Sequence, residues 1–321
     1  MTIIQKLFIV LIVFHLQLVS SENTIELYDH NISSGTKKNN FIELCSQNTM
    51  LCGPLAKTCL MEKNDSEAKK LFGIGCDNAL LKGKNNNYLD NCNELGILYM
   101  NDKDYLKALE LFNYGCSNGH LKSCTNRSIM TLQGKGIAQD TVKGVQELEQ
   151  TCAKNEMTSC MDLGILYIGG KNIQQDIPKG IKMLHRACMN KETSACLEIG
   201  YIYFIGTSTS GEKTHIEKDH SLATQYYEYG CNAGDIRSCL FLGMVLQSDT
   251  NPKKDVNKAF EILQNGCNKN FAPMCWQLSL SYKKGIGVEQ DFEKYKELVK
   301  KACDLNFTIA CSAYKGAQLG K

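Results

Sequence analysis

Arginine is nearly missing from this chain. Of 36 basic residues only three, Arg127, Arg186 and Arg237, are arginines. Acidic residues number 34 and the net charge is +2, so neither the basic excess of a general nucleic-acid binder nor an acidic tail is present. Proline is scarce too, at 4 in 321 residues, which excludes Pro-rich disorder and a fold rich in Pro turns. After Val19 no apolar run is long enough to span a bilayer. No two cysteines lie closer than seven residues, so the C-x2-C and C-x4-C spacings of zinc sites do not occur. Serine penicillin-recognising enzymes combine S-x-x-K with S-D-N and K-T-G. S-x-x-K occurs at Ser34, Ser66, Ser210, Ser281 and Ser312, at irregular positions, while S-D-N, K-T-G and the H-E-x-x-H of zinc proteases are absent. His215 and His220 read as solvated residues of a loop rather than metal ligands. No cofactor is expected.

What the chain has in excess is cysteine, 17 in all. A reduced cytosolic protein rarely carries so many without metal or redox work. The N-terminus agrees with an oxidising destination. Lys6 precedes an apolar stretch from Leu7 to Val19, and the small residues Val19 and Ser21 suit a signal-peptidase site, which places cleavage after Ser21. Residues 1–21 are therefore read as a signal peptide, 22–40 as a polar segment, and 41–321 as the folded body. The mature chain is expected to be secreted or held in a secretory lumen (the periplasm in a bacterium), with no membrane attachment after cleavage.

Six cysteine pairs share the spacing C-x7-C: Cys116/Cys124, Cys152/Cys160, Cys188/Cys196, Cys231/Cys239, Cys267/Cys275 and Cys303/Cys311. Their first members advance by 36 residues, with one step of 43 that carries an insertion around Thr207 to Ile216. A period in this range is the mark of a solenoid. Cys76/Cys92 is an expanded pair whose turn holds a polar, Asn-rich stretch from Lys82 to Tyr88, and Cys45/Cys52 is one residue short. Cys59 stands outside the pairs. Cys45, Cys52 and Cys59 are spaced seven apart, so Cys52–Cys59 is an alternative. Cys45–Cys52 is preferred because Cys52 precedes a short helix as its counterparts do.

Between cysteines the apolar period is helical. Met161, Leu163, Ile165, Leu166 and Tyr167 mark a first helix ending at Gly169-Gly170, and Ile177, Ile181, Met183, Leu184 and Ala187 mark a second. Asp140, Asp176 and Asp291 are placed to cap second helices. Gly96, Gly164, Gly200 and Gly243 recur in mid-helix, where close approach of a neighbouring backbone would offset their cost. The expectation is an all-α, right-handed solenoid of about seven helix-turn-helix repeats from Cys52 to Asp304, plus a last helix near Ile309–Leu319. Each first cysteine ends one repeat and each second opens the next, so a bridge would staple neighbours.

The segments Gly-Cys-Ser-Asn-Gly-His-Leu-Lys-Ser-Cys (115–124) and Lys-Lys-Ala-Cys-Asp-Leu-Asn-Phe-Thr-Ile-Ala-Cys (300–311), with the loop Gly285-Ile286-Gly287-Val288-Glu289-Gln290-Asp291, carry a family pattern. Over residues 41–319 the chain resembles the Sel-one-like repeat (SLR) family, in its cysteine-rich branch. That branch includes the Hcp proteins, known as β-lactamases, and a cytochrome c oxidase assembly factor of the mitochondrial intermembrane space. The resemblance implies a TPR-like solenoid. It leaves three roles: a non-enzymatic scaffold binding a protein or peptide on its concave face, a β-lactam-binding or weakly hydrolysing protein, and a respiratory-complex assembly factor, the last requiring the intermembrane space. The first is the expected role, for a monomer that binds no nucleic acid. Tyr99, Tyr167 and Tyr203 occupy equivalent spots and are candidate partner contacts. Trp276 follows Cys275 and is read as packing on that bridge. Asn31, Asn64, Asn126 and Asn306 lie in N-x-S/T sequons and are candidate glycosylation sites.

Overall fold

In the computed structural model the described residues are 41–82, 86–170, 173–206 and 216–318. The leader, the segment 22–40 with Asn31, most of the insertion with His215, and the S-x-x-K serines Ser34 and Ser210 lie outside them. The chain divides into two compact units, residues 1–144 and 145–321.

The first unit holds α1 (Phe41–Gln47), a 3-10 turn (Thr49–Leu51), α2 (Cys52–Met61), α3 (Asp65–Lys82), α4 (Asn86–Asn101), α5 (Tyr105–Ser117) and α6 (Leu121–Gln133). Helix α7 (Thr141–Ala153) carries the boundary. The second unit continues through α8 (Met157–Gly169), α9 (Ile177–Met189), α10 (Thr193–Ile205), α11 (His220–Asn232), α12 (Ile236–Leu246), α13 (Val256–Asn268), α14 (Ala272–Lys284), α15 (Phe292–Asp304) and α16 (Thr308–Gln318). Even-numbered helices from α2 to α14 are first helices and the odd-numbered ones that follow are second helices. Seven first-to-second successions run along the chain, and α16 stands last. The architecture is the expected all-α repeat of helix pairs.

Two backbone devices repeat with the cysteines. The first lies inside each C-x7-C loop. Three residues after its first cysteine, Gly119, Asn155, Lys191, Gly234, Asn270 and Asn306 all have φ between 61° and 96°. There the N–H of each residue bonds its cysteine's carbonyl, and the next N–H bonds the carbonyl before the cysteine, at 2.8–3.2 Å. This is a Schellman stop, which satisfies the orphan carbonyls of the second helix and turns the chain at once. The second device closes the loop within a repeat. The N–H groups of Asp104, Asp140, Asp176, Asp219, Asp255 and Asp291 bond the carbonyls of residues 99, 131, 167, 203, 246 and 282 at 2.8–3.1 Å. Each aspartate's carboxylate then accepts from the N–H three residues on, at 2.8–3.3 Å, capping the second helix.

Where helices cross, the recurring glycines make room. A Cβ on Gly164 would stand 2.9 Å from the carbonyl oxygen of Gly180 on α9, the expected backbone approach, and 2.7 Å from Leu184 Cγ. At the other three the nearest atoms are side chain alone. Gly96, Gly200 and Gly243 face side chains of the paired second helix, namely Phe112, Tyr227 and Leu263. The space is spent on a large residue, so Phe112, Tyr227 and Leu263 are completely buried. The expanded pair also departs from expectation. Lys82 to Tyr88 is not a turn over its whole length: α3 runs six residues past Cys76 to Lys82, and α4 starts at Asn86, six residues before Cys92. The inserted residues extend both helices beyond the cysteines, because continuing a helix satisfies their backbone groups and a long polar loop would not.

Candidate functional site

The register set by the second cysteine of each pair defines a row of equivalent positions on the first helices. Two residues after it come Glu94, Asn126, Asp162, Glu198, Phe241 and Gln277, on α4, α6, α8, α10, α12 and α14. Sequence reasoning passed over this row, although its members at 126, 162 and 198 are 36 residues apart.

In the second unit the row holds two unusual acids. Asp162 is partly buried on α8, and loss of solvent pushes its carboxyl up to about 7. Glu192 and Glu156 add to the shift by repulsion. Both glutamates sit at helix N-caps without capping through their side chains. Glu192 instead accepts from the Thr158 hydroxyl at 3.1 Å, which draws it back toward α8. Glu198 on α10 is also raised to about 7 by burial, and Arg237 offsets part of the shift. That guanidinium is already committed, donating to Asp235 Oδ1 at 3.0 Å and to Ser194 Oγ at 3.2 Å.

Aromatic rings of α10, α11 and α12 pack together in this unit. Phe241 stacks on Tyr227 at 5.4 Å and meets Tyr201 edge-on at 6.2 Å. Tyr227 is fully buried and its hydroxyl has no hydrogen-bond partner. Burial pushes that phenol well above its ordinary value, and Tyr201 and Glu198 act on it as well, so the hydroxyl lies within their electrostatic reach. In the first unit, Glu94 is raised by burial, with Lys57, Lys122 and His120 opposing the shift and Asp90 reinforcing it.

Also in the first unit, Asp90, His120 and Ser123 share the residue types of a hydrolase triad. His120 Nε2 is 3.1 Å from Asp90 Oδ1 and Nδ1 is 2.8 Å from Ser123 Oγ. The arrangement is a helix cap. Nδ1 also accepts the Ser123 N–H, Ser123 Oγ reaches Asn93 at 3.3 Å, and Ser123 is completely buried. The hydrogen bond from His120 holds the Asp90 carboxyl below its usual range. Gly115-Cys116-Ser117-Asn118-Gly119 spells G-x-S-x-G. A nucleophile elbow joins a strand to a helix. Here the segment ends α5 and Cys116 is in a disulfide.

The cysteines pair as Cys45–Cys52, Cys76–Cys92, Cys116–Cys124, Cys152–Cys160, Cys188–Cys196, Cys231–Cys239, Cys267–Cys275 and Cys303–Cys311, with Cα atoms 4.5–4.8 Å apart. Cys59 takes no part in these bridges and is buried among Leu55, Leu71 and Phe72. Eight bridges in one chain belong to an oxidising compartment.

Tyr99, Tyr167 and Tyr203 are half-buried and already engaged. Lys69 and Lys107 lie over the Tyr99 ring, Lys179 lies 4.1 Å over that of Tyr167, and Tyr203 stacks on Tyr226 at 5.9 Å. Tyr282 holds the same position on α14 and meets Phe260 edge-on. Trp276 packs in the core beside Cys275, its ring tilted 6.5 Å from Phe307. His220 is not a loop residue: it opens α11, stacks on Phe204 at 5.1 Å, and reaches Thr250 at 2.8 Å. Asp219 stops the insertion one residue earlier by capping that helix. Among the sequon asparagines, Asn64 accepts the Glu67 N–H and donates its side-chain amide to the Glu67 carboxylate, Asn126 donates to Asn93 at 2.8 Å, and Asn306 is exposed on the Cys303–Cys311 turn. Among the described residues no cluster of three His, Cys, Asp or Glu is placed to hold a metal ion, and no helix is long and apolar enough to cross a membrane.

The profile of the Sel1 repeat matches residues 92–120, 158–191, 193–235, 236–271 and 272–307. Among solved structures, a Sel1 repeat protein from Oxalobacter formigenes is similar, with TM-score 0.53 and 18% identity over 66% of this chain and 84% of that one. So is a protective antigen of uropathogenic Escherichia coli with an SLR fold, at TM-score 0.55 and 16% identity. That match covers 78% of this chain and 51% of the antigen. At these identities the likeness is one of fold. A search of curated proteins returns no match.

Proposed function

Because the chain belongs to the Sel1 repeat family, we propose that it is a non-enzymatic scaffold that holds a protein or peptide partner along the face of its first helices. Proteins of this family generally act as protein-interaction scaffolds. The observation that carries the reading is the cysteine-registered row. Within the second unit it presents Asp162, Glu198, Phe241 and Gln277 from successive first helices, which is how a repeat array reads an extended ligand. In the first unit the His120 imidazole and the Ser123 hydroxyl are engaged in capping a helix. The working form is the mature, oxidised monomer after removal of residues 1–21, in a secretory lumen or outside the cell. Tyr167 and Tyr203 edge the partner, with Tyr99 in the equivalent place on α4.

The test is binding of the labelled mature protein to an array of twelve-residue peptides, with hydrogen exchange on the best complex. Slowed exchange in α8, α10 and α12, with α9, α11 and α13 unchanged, is the expected outcome. Retention of no peptide, or hydrolysis of a chromogenic cephalosporin above that of a reduced control, refutes the reading. Replacing Tyr167 and Tyr203 together by Ala is expected to weaken binding at least fivefold. Unchanged binding removes the tyrosines from the contact set.

A further inference from the structure

The last of the six regular cysteine loops carries side chains that its fold does not call for. Directly after the leading cysteine the loops hold Ser117, Ala153, Met189, Asn232, Asn268 and Asp304, so only the last has an acid there. Asp304 ends α15, where the helix dipole disfavours negative charge. Its side chain is 60% exposed and pairs with Lys300 at the surface, a contact worth little to the fold. Two residues on, Asn306 takes the left-handed turn that Asn155 and Asn270 take in their own loops, at φ 66°. The last loop then adds Thr308, exposed at the start of α16, which completes the sequon Asn306-Phe307-Thr308. Among the described residues no hydrogen bond engages the Asn306 side-chain amide or the Thr308 hydroxyl. The other described sequons are closed. Asn126 Nδ2 donates to Asn93 at 2.8 Å, and its Ser128 hydroxyl is completely buried and donates to the Cys124 carbonyl at 2.7 Å. Asn64 Nδ2 donates to the Glu67 carboxylate at 2.7 Å. The flanking residues carry a second signal. Asp29, Glu62 and Asp304 stand two residues before Asn31, Asn64 and Asn306, in three of four sequons, although only 34 of 321 residues are acidic.

We propose that Asn306 is an N-glycosylation site, read by an oligosaccharyltransferase through the Asp304 carboxylate on one side and the Thr308 hydroxyl on the other. D/E-x-N-x-S/T is the acceptor motif of transferases that act on exported bacterial chains, which add a charged grip to the plain N-x-S/T. An exposed loop of a folded chain can present all three groups at once, and here Asp304, Asn306 and Thr308 are all exposed. The donor is an oligosaccharide carried on a polyprenyl diphosphate. Asn306 Nδ2 attacks the anomeric carbon of its first sugar. The new C–N bond forms as the bond from that carbon to the phosphate oxygen breaks. The nitrogen gives up one proton, and the lipid diphosphate leaves with the bonding pair. The proposal is independent of the scaffold reading.

The test starts with mature protein from the exported fraction of its own cells, digested with trypsin and read by tandem mass spectrometry. Residues 302–315 form one peptide between Lys301 and Lys315. A glycan mass on Asn306 and none on Asn126 is the expected result. Variants are then compared in a bacterial periplasm that holds a transferase of this kind and its lipid-linked donor. Thr308→Ala should abolish the sugar on Asn306. Asp304→Asn should lower occupancy roughly tenfold, the loss of one charge-assisted contact to the transferase. Lys300→Gln, which removes the partner of Asp304 and keeps the acid, should leave occupancy unchanged, and this separates recognition from a structural ion pair. All three keep Asn306 in its left-handed turn, and circular dichroism checks that they are folded. If a variant does not fold, the peptide of the native protein decides. A bare Asn306 in the native protein, sugar on Asn126 in its place, or full occupancy in Asp304→Asn overturns the proposal.

Discussion

Asp162 illustrates what burial does to a single carboxylate. In the unfolded chain it ionises at its ordinary value of 3.8; in the fold it keeps its proton to about 7. Between those values the folded state binds more protons, so stability falls as pH rises through that window and levels off above it. Glu198 works in the same direction from 4.5 to about 7. Asp162→Asn should therefore raise stability by about 1–3 kcal/mol at pH 8, with little change at pH 4, in urea denaturation followed by circular dichroism. A gain of equal size at both pH values would mean that the carboxylate is not what burial penalises. The glycines provide a second contrast at this scale. Gly73 lies in α3 with nothing within 4 Å of a Cβ, so Gly73→Ala should stabilise by about 0.5–1 kcal/mol. Gly164→Ala meets a carbonyl that cannot swing aside and should destabilise by about 1–3 kcal/mol.

At the scale of the helix pair, the sequence displayed most of the architecture, because covalent and backbone constraints leave marks at fixed positions. A cysteine every 36 residues, an αL residue three further on, and a capping aspartate are all local needs that only a few residue types meet. Asp291→Ala should accordingly cost about 1 kcal/mol, since its carboxylate accepts from the N–H groups of Glu293 and Lys294. The extension of α3 beyond Cys76 and of α4 ahead of Cys92 was hidden because Asn-rich composition signals a turn, while a continued helix satisfies the backbone groups of the same residues. The site was harder to read. Glu198 and Asp162 were visible as letters, but their desolvation comes from neighbouring helices, and Tyr227 reaches Glu198 from α11, 29 residues along the chain. The tyrosines were easier to notice for their regular spacing, yet each is already engaged by a lysine or another tyrosine.

For the whole molecule the first measurement is mass spectrometry of the unreduced protein. A mature start at Glu22 and a single alkylatable thiol, Cys59, reactive only after unfolding, are the expected results. A second thiol in the native state would contradict the eight bridges. Each bridge also spans very little chain: 7 residues at Cys45–Cys52, 16 at Cys76–Cys92, and 8 in the other six. Closing such a loop contributes about 2–3 kcal/mol. In the six regular loops, the hydrogen bonds of the Schellman stop bring the chain round between the two thiols. Correct partners are thus neighbours in sequence, and distant cysteines have to compete against a far higher local concentration. Oxidation can follow the chain from one end to the other, each thiol finding its mate as it enters the oxidising compartment, so the chain reaches its full set of bridges without passing through scrambled isomers.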